Sequence, residues 1–112
     1  MEITYEEFMK LDLRIGLIKE CERIPKSRNL LKMMVDCGED QPRQIVAGMG
    51  QNYAPEELIG QKVVVLLNLK PRKLMGVQSN GMVLAADVED KPFLLKLEEE
   101  KKDLVPPGSK IR

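Results

Sequence analysis

Between residues 68 and 82 the chain reads NLKPRKLMGVQSNGM. Lys70, Arg72 and Lys73 put three cations within four positions, and Ser79, Asn80 and Gly81 follow before the chain turns apolar at Met82. The chemistry open to such a set is recognition of a polyanion. A guanidinium bridges two phosphate oxygens in one plane, while an ammonium acts as a movable point charge. A serine hydroxyl can bond a phosphate or a ribose 2′-OH, and a glycine lets backbone come close to a ligand. Met82 offers a polarizable thioether to the face of a base. Each residue also has a plainer reading: a solvated basic turn, a Ser79 bond within its own turn, a Met82 side chain in the core.

A second set lies in and beside the loop RIPKSRN, where Lys26, Arg28, Asn29 and Lys32 supply three more cations and an amide. Asn29 either reaches a base edge or a sugar, or closes its loop on backbone. The 112 residues carry no net charge, but the charge is sorted. Residues 61–80 hold four cations and no acid, residues 23–36 hold four cations and one acid, and residues 87–103 hold seven acids and four cations. Such sorting can give a neutral protein one basic face.

Other chemistries are excluded by what is missing. There is no histidine, and Cys21 and Cys37 are the only cysteines. A structural zinc site needs four such ligands, so none is expected within the chain, and the two thiols read as buried and free. Without histidine, a Ser-His or Cys-His catalytic pair cannot be assembled. Asp12 and Asp36 read as turn and strand-end residues, not as a metal pair. We therefore expect no catalytic residue, no metal and no cofactor. The aromatics are few (Tyr5, Phe8, Tyr53 and Phe93). Generic single-strand binders stack bases on aromatic platforms, so folded RNA read by shape, phosphate and 2′-OH fits better.

The length is that of one domain, and 43% hydrophobic with 32% charged residues describes a globular chain. No run reaches the ~20 apolar residues of a bilayer span, and MEITYEEFMK lacks the order of a signal peptide. A cytoplasmic protein without membrane contact is expected.

The elements that must position these residues can be read from spacing. Thr4 and Glu7 form a capping box for a short helix over 4–11, with Ile3 and Phe8 spaced as its hydrophobic staple. Leu11, Leu13, Ile15 and Leu17 alternate and the phase slips at Ile18, which predicts a long strand with a bulge. LLKMMVDCG predicts a second strand with Leu31, Met33 and Val35 on one face, and RQIVAGM a third. Pro55, two acids and Gly60 bracket a one- to two-turn helix. QKVVVLLNLK reads as a strand buried on both faces, and NGMVLAAD as a fifth, with Asn80-Gly81 as a hairpin turn. The order β-β-β-α-β-β is that of a five-stranded OB-fold barrel with a helix between strands three and four. In this reading the barrel occupies about 12–88. A further strand near 93–97, a turn at Pro106-Pro107-Gly108 and a terminal strand at Lys110-Ile111 follow. Apolar Phe93, Leu94, Leu95, Leu97, Leu104 and Val105 need cover, which a two-fold partner provides most simply.

FMKLDLRIG, LLKMMVDCG, QIVAGMGQNYAPEELIGQKVVVLLNLKPRKLMGVQSNGMVLAAD and PPGSKIR together resemble the structure-specific tRNA-binding domain. That family includes the C-terminal appendage of methionyl-tRNA synthetases, freestanding homodimers, archaeal beta subunits of that synthetase and CsaA-type secretion chaperones. The resemblance covers essentially the whole chain. Its S-x-G-M signature falls on Ser79, Gly81 and Met82, and its Asn-Leu-x-Pro-Arg-Lys run on Asn68, Leu69, Pro71, Arg72 and Lys73. It implies a single domain over 1–112, dimerised through elements at 4–11 and 89–112, that binds the outer corner of tRNA without catalysis. It also implies service to methionyl-tRNA synthetase in trans; the alternative within the family is a peptide-binding chaperone. One departure stands in the first loop, where Ser27, Arg28 and Asn29 replace the Ala-Asp-Lys of many members, so the expected cation moves to Arg28 or Lys26.

Overall fold

The computed structural model describes residues 1–112. Helix α1 (Tyr5–Phe8) is a single turn whose start is fixed as the spacing predicts. Thr4 Oγ1 accepts from the Glu7 N–H at 3.1 Å, and Glu7 Oε1 accepts from the Thr4 N–H at 3.1 Å. The helix is shorter than the expected 4–11, and only turn bonds carry it on to Leu11. A helix this short has no stability alone. Asn68 ties it down: its Oδ1 accepts from the Asp12 N–H at 2.9 Å and its Nδ2 donates to the Lys10 carbonyl at 2.6 Å.

Strands β1 (Leu13–Arg23), β2 (Leu30–Asp36) and β3 (Arg43–Gly48) form an antiparallel meander, followed by helix α2 (Pro55–Leu58) and strand β4 (Lys62–Leu66). β1 is long enough to serve two neighbours. Its first half pairs with β4, from Leu13 opposite Leu66 to Leu17 opposite Lys62, and its second half pairs with β2 up to Arg23 opposite Leu31. The predicted bulge is real, with the register shifting between Ile18 and Glu20. The inward side has already switched from Leu13 and Ile15 to Gly16 and Ile18, and beyond the bulge it passes to half-buried Cys21. The core gathers Ile18, Leu31, Met33, Val35, Ile45, Val63 and Val65 from the strands and Leu58 from α2.

After β4 the chain departs from the simple fifth strand. β5 (Arg72–Leu74) and β6 (Val77–Ser79) make a separate hairpin, then β7 (Met82–Val83) pairs with β4. β8 (Ala85–Val88) and β9 (Lys91–Leu94) make another hairpin. NGMVLAAD is thus two short strands broken at Leu84. Asn80-Gly81 is not a hairpin turn. The turn is Met75-Gly76, at φ +50° and +79°. Gly81, at φ +141°, serves a close approach instead, since a Cβ there would stand 3.0 Å from the Leu66 carbonyl oxygen and 3.4 Å from Ile45 Cδ1. β4 is likewise not buried on both faces; Val63 and Val65 are sealed while Val64 and Leu66 are half-buried.

The five-stranded sheet runs β3-β2-β1-β4-β7, and its outer members meet to give a nearly closed barrel. The Val46 N–H donates to Ser79 Oγ and the Asn80 N–H to the Gln44 carbonyl. The expected strand near 93–97 is β9 plus an isolated bridge between Lys96 and Val63, and Tyr53 Oη accepts from the Leu94 N–H at 3.1 Å. A 3₁₀ turn at Lys102–Leu104, not anticipated, is capped by Lys62 Nζ, which donates to the Lys102 and Val105 carbonyls at 2.8 and 2.7 Å. The last residues lie along β1 where β2 has ended, the Ile15 N–H donating to the Ser109 carbonyl and the Ile111 N–H to that of Leu13.

Met33 is fully buried in this core. Met33→Ala removes its packing and leaves a void, so the urea midpoint should fall by the equivalent of about 2–5 kcal/mol with little change in m-value.

Candidate nucleic-acid interface

The basic run becomes a rigid hairpin. Arg72 pairs with Ser79, Lys73 with Gln78 and Leu74 with Val77. Directly opposed residues share a face of a two-stranded ribbon. Leu74 and Val77 therefore line the half-buried side, with Lys73 and Gln78 on the exposed side. The hairpin is held against β3 by Gln44, whose Nε2 donates to the Gln78 carbonyl at 2.8 Å.

Ser79 behaves differently from an outward ligand. Its side chain is 1% exposed; the hydroxyl accepts from the Val46 N–H and donates to the Gly81 carbonyl, both at 3.0 Å. Its hydrogen-bonding capacity is spent on closing the barrel, so it positions the hairpin and does not face a phosphate. Gly81 is buried too, and its close contact is with its own core. Asn68 uses both ends of its amide on the N-terminal segment. Asn80 accepts from Gln78 Nε2 at 2.8 Å and leaves its own Nδ2 unbonded. Met82, by contrast, is 41% exposed, not a core residue.

Sequence reasoning missed Arg43. Its guanidinium donates from Nη1 to the carbonyls of Leu67 (3.0 Å) and Asn80 (2.9 Å) and from Nε and Nη2 to the Glu39 carboxylate (2.7 and 3.0 Å). The Arg43 hydrogen bonds hold the Glu39 pKa below the usual carboxylate value. One side chain thus fixes where the segment 67–80 begins and ends. Glu39, four residues before Arg43, is the one sequence signal of it. An open groove of about 960 Å³ lies at the foot of the hairpin, between the β2–β3 turn and residues 67–71.

The first loop is ordered from within. Ser27 Oγ accepts from the Leu30 N–H at 3.0 Å, Asn29 Oδ1 accepts from the Gln51 N–H at 3.2 Å, and the Asn29 carbonyl accepts from the Gly50 N–H at 2.7 Å. Asn29 therefore closes its loop. Lys32 is opposite Glu22 in the β1–β2 register and pairs with it at 2.8 Å. Lys26 and Arg28 project into solvent. β3 carries both sets: Gln44 and Val46 hold the hairpin, and Gly48 is opposite Leu30 beside the loop. At ~3.3 Å per residue, those two attachments are roughly 13 Å apart along one strand. None of the structure's six ion pairs includes Lys26, Arg28, Lys70, Arg72 or Lys73. These five exposed cations without acidic partners stand on two braced supports, and their chemistry suits phosphate.

The thiols are not part of it. Burial pushes both Cys21 and Cys37 up to about 11, so neither carries an appreciable thiolate near neutral pH. They are free, as expected.

The sequence model of the family described as "Putative tRNA binding domain" matches residues 13–109. The chain belongs to this tRNA-binding domain family. It is 50% identical to a methionine–tRNA ligase of Archaeoglobus fulgidus over 110 residues, which are 98% of this chain and 16% of that enzyme. It is 48% identical to that of Thermotoga maritima over 109 residues, 97% of this chain and again 16% of the enzyme. The chain thus spans about a sixth of the length of these curated relatives. Among solved structures, a methionyl-tRNA synthetase (MetRS) related protein from Pyrococcus horikoshii superposes over 100% of both chains with a TM-score of 0.87 and 39% identity. The chaperone CsaA from Bacillus anthracis does so over 100% of both with 0.85 and 32%. Shared barrel and shared length link the tRNA-binding domain to both.

The seam gives a stability prediction. Ser79→Ala strands the buried Val46 N–H, so the variant should be less stable by about 1–3 kcal/mol, and amide exchange at Val46 should accelerate more than at Met33.

Proposed function

We propose that this tRNA-binding domain holds folded tRNA without catalysis, at the outer corner of the L, through Lys26, Arg28, Lys70, Arg72, Lys73, Met82 and the free amide of Asn80. Ser79, Gly81, Asn68, Asn29 and Lys32 act by keeping those groups in place. The observation that carries the reading is the set of five exposed cations free of acidic partners, mounted on one hairpin and one loop that a single strand supports. Phosphate is the ligand that such a set rewards, since neutralising it also releases condensed counterions. The relatives named as methionine–tRNA ligases carry the matching stretch within their own chains, which supports an association with that synthetase; the role in this proposal is that of an accessory in trans, in the cytoplasm.

The assembly in this proposal is a two-fold homodimer, over one domain spanning 1–112 with a barrel at about 12–88. Tyr5 and Leu11 near α1, and Phe93, Leu95 and Leu104 in the C-terminal part, are large apolar side chains at 43–77% exposure. A partner copy covers them at 4–11 and 89–112. Sedimentation equilibrium should then give twice the chain mass, and Phe93→Lys with Leu104→Lys should give the single mass. A monomeric wild type would end the dimer proposal.

The likeness to the chaperone CsaA favours a second reading, an unfolded-peptide binder. The two separate cleanly. For the first, log affinity for unfractionated tRNA should fall linearly with log salt by roughly 0.7–0.9 per phosphate contact, and Arg72→Ala or Lys73→Ala should each flatten the line by about one contact. For the second, tRNA binding is weak, indifferent to both substitutions, and suppression of aggregation persists in them. No affinity for any folded tRNA at low salt would sink the first reading.

A further inference from the structure

Met75 sits where the fold gives no reason for a methionine. A two-residue hairpin turn of this hand needs positive φ at both central positions and favours Asn-Gly. Gly76 meets the need at φ +79°; Met75 adopts φ +50° with a full side chain, a conformation that Asn tolerates better. Packing does not repay it, because the side chain is 57% exposed. The turn therefore holds a water-exposed apolar group in an unfavourable backbone state. Lys73 stands two residues before it on the same arm, Arg72 and Lys70 lie further back along the chain, and residues 61–80 hold no acid.

We propose that Met75 is a nucleobase contact: a thioether on a stiff tip that lies against the face of an unstacked base while the neighbouring cations hold the adjoining phosphates. The inference rests on the tRNA reading and adds a residue that touches bases. Three observations carry it. The cations of the arm that leads to the tip select a polyanion over an apolar protein surface. The β5–β6 ribbon and the Gln44 bond to Gln78 fix the tip in advance, so ordering it on binding costs little. Methionine is unbranched and polarizable, and its sulfur makes favourable contacts with aromatic rings. Base faces are hidden in an A-form helix and open in loops and bends, so the contact falls on a base out of the stack.

The test uses the full chain, unfractionated tRNA, and Met75→Asn with Met75→Leu. Met75→Asn installs the residue the turn prefers, so its melting temperature should equal or exceed that of the parent. Its Kd for tRNA should nonetheless rise by about tenfold, the equivalent of 1.4 kcal/mol, and the salt slope should be unchanged because no phosphate contact is lost. Met75→Leu, which keeps an apolar tip, should stay within about threefold of wild type, under half of that loss in free energy. Met75→Asn binding as tightly as wild type overturns the proposal while leaving the tRNA reading intact. So does weakening in both variants with a flatter salt slope, which would assign the tip to holding the cations. A wild-type chain that binds no folded tRNA overturns both.

Discussion

Where β3 meets the end of β6, a side chain brings the barrel nearly to closure. The Val46 N–H has no strand opposite it, and the Ser79 hydroxyl fills that place while passing its own proton to the Gly81 carbonyl. A closed barrel leaves no edge to template other chains, and here the Ser79 oxygen spans the seam beside the Asn80 N–H bond to the Gln44 carbonyl. Arg43 secures its other end by holding the Leu67 and Asn80 carbonyls. The atoms that shut the barrel are therefore the atoms that set the pose of the cationic hairpin. Stability and recognition share a part, so neither can drift without the other.

Much of the fold was legible because local rules and tertiary needs agree. The Thr4–Glu7 box, the slip at Ile18, the Leu31–Met33–Val35 face and the Pro55 start each state a backbone requirement within a few residues. The hairpin turn was not legible, because Asn80-Gly81 has the better turn letters and the chain spends them on a close approach. The basic run is exposed, as its residue types suggest, while the polar residues were ambiguous. Ser79, Asn68 and Asn29 carry groups equally suited to facing a ligand or satisfying backbone, and in all three the backbone takes them. Arg43 was invisible because two of its partners lie 24 and 37 positions away.

Cations are divided by neighbourhood. Arg14, Lys32, Arg43, Lys96, Lys101 and Lys102 each meet a carboxylate. Surface pairs of this kind add little stability, yet they remove those charges from competition for an anionic partner. Five of the unpaired, exposed cations stand on the 70–73 run and the first loop, and Lys10, Lys19, Lys91, Lys110 and Arg112 are spread elsewhere. Of the seven acids of residues 87–103, Glu98 and Glu99 pair within that stretch.

A molecule with zero total charge and its signs held apart behaves, from a distance, as a dipole. Its pull on a distant polyanion is feeble, and at physiological salt it is extinguished beyond roughly 8 Å. Inside that range, on the proposed tRNA reading, the polyanion's field draws the basic hairpin toward it. On that reading the search for RNA is undirected over most of its course, and only the last few ångströms are guided.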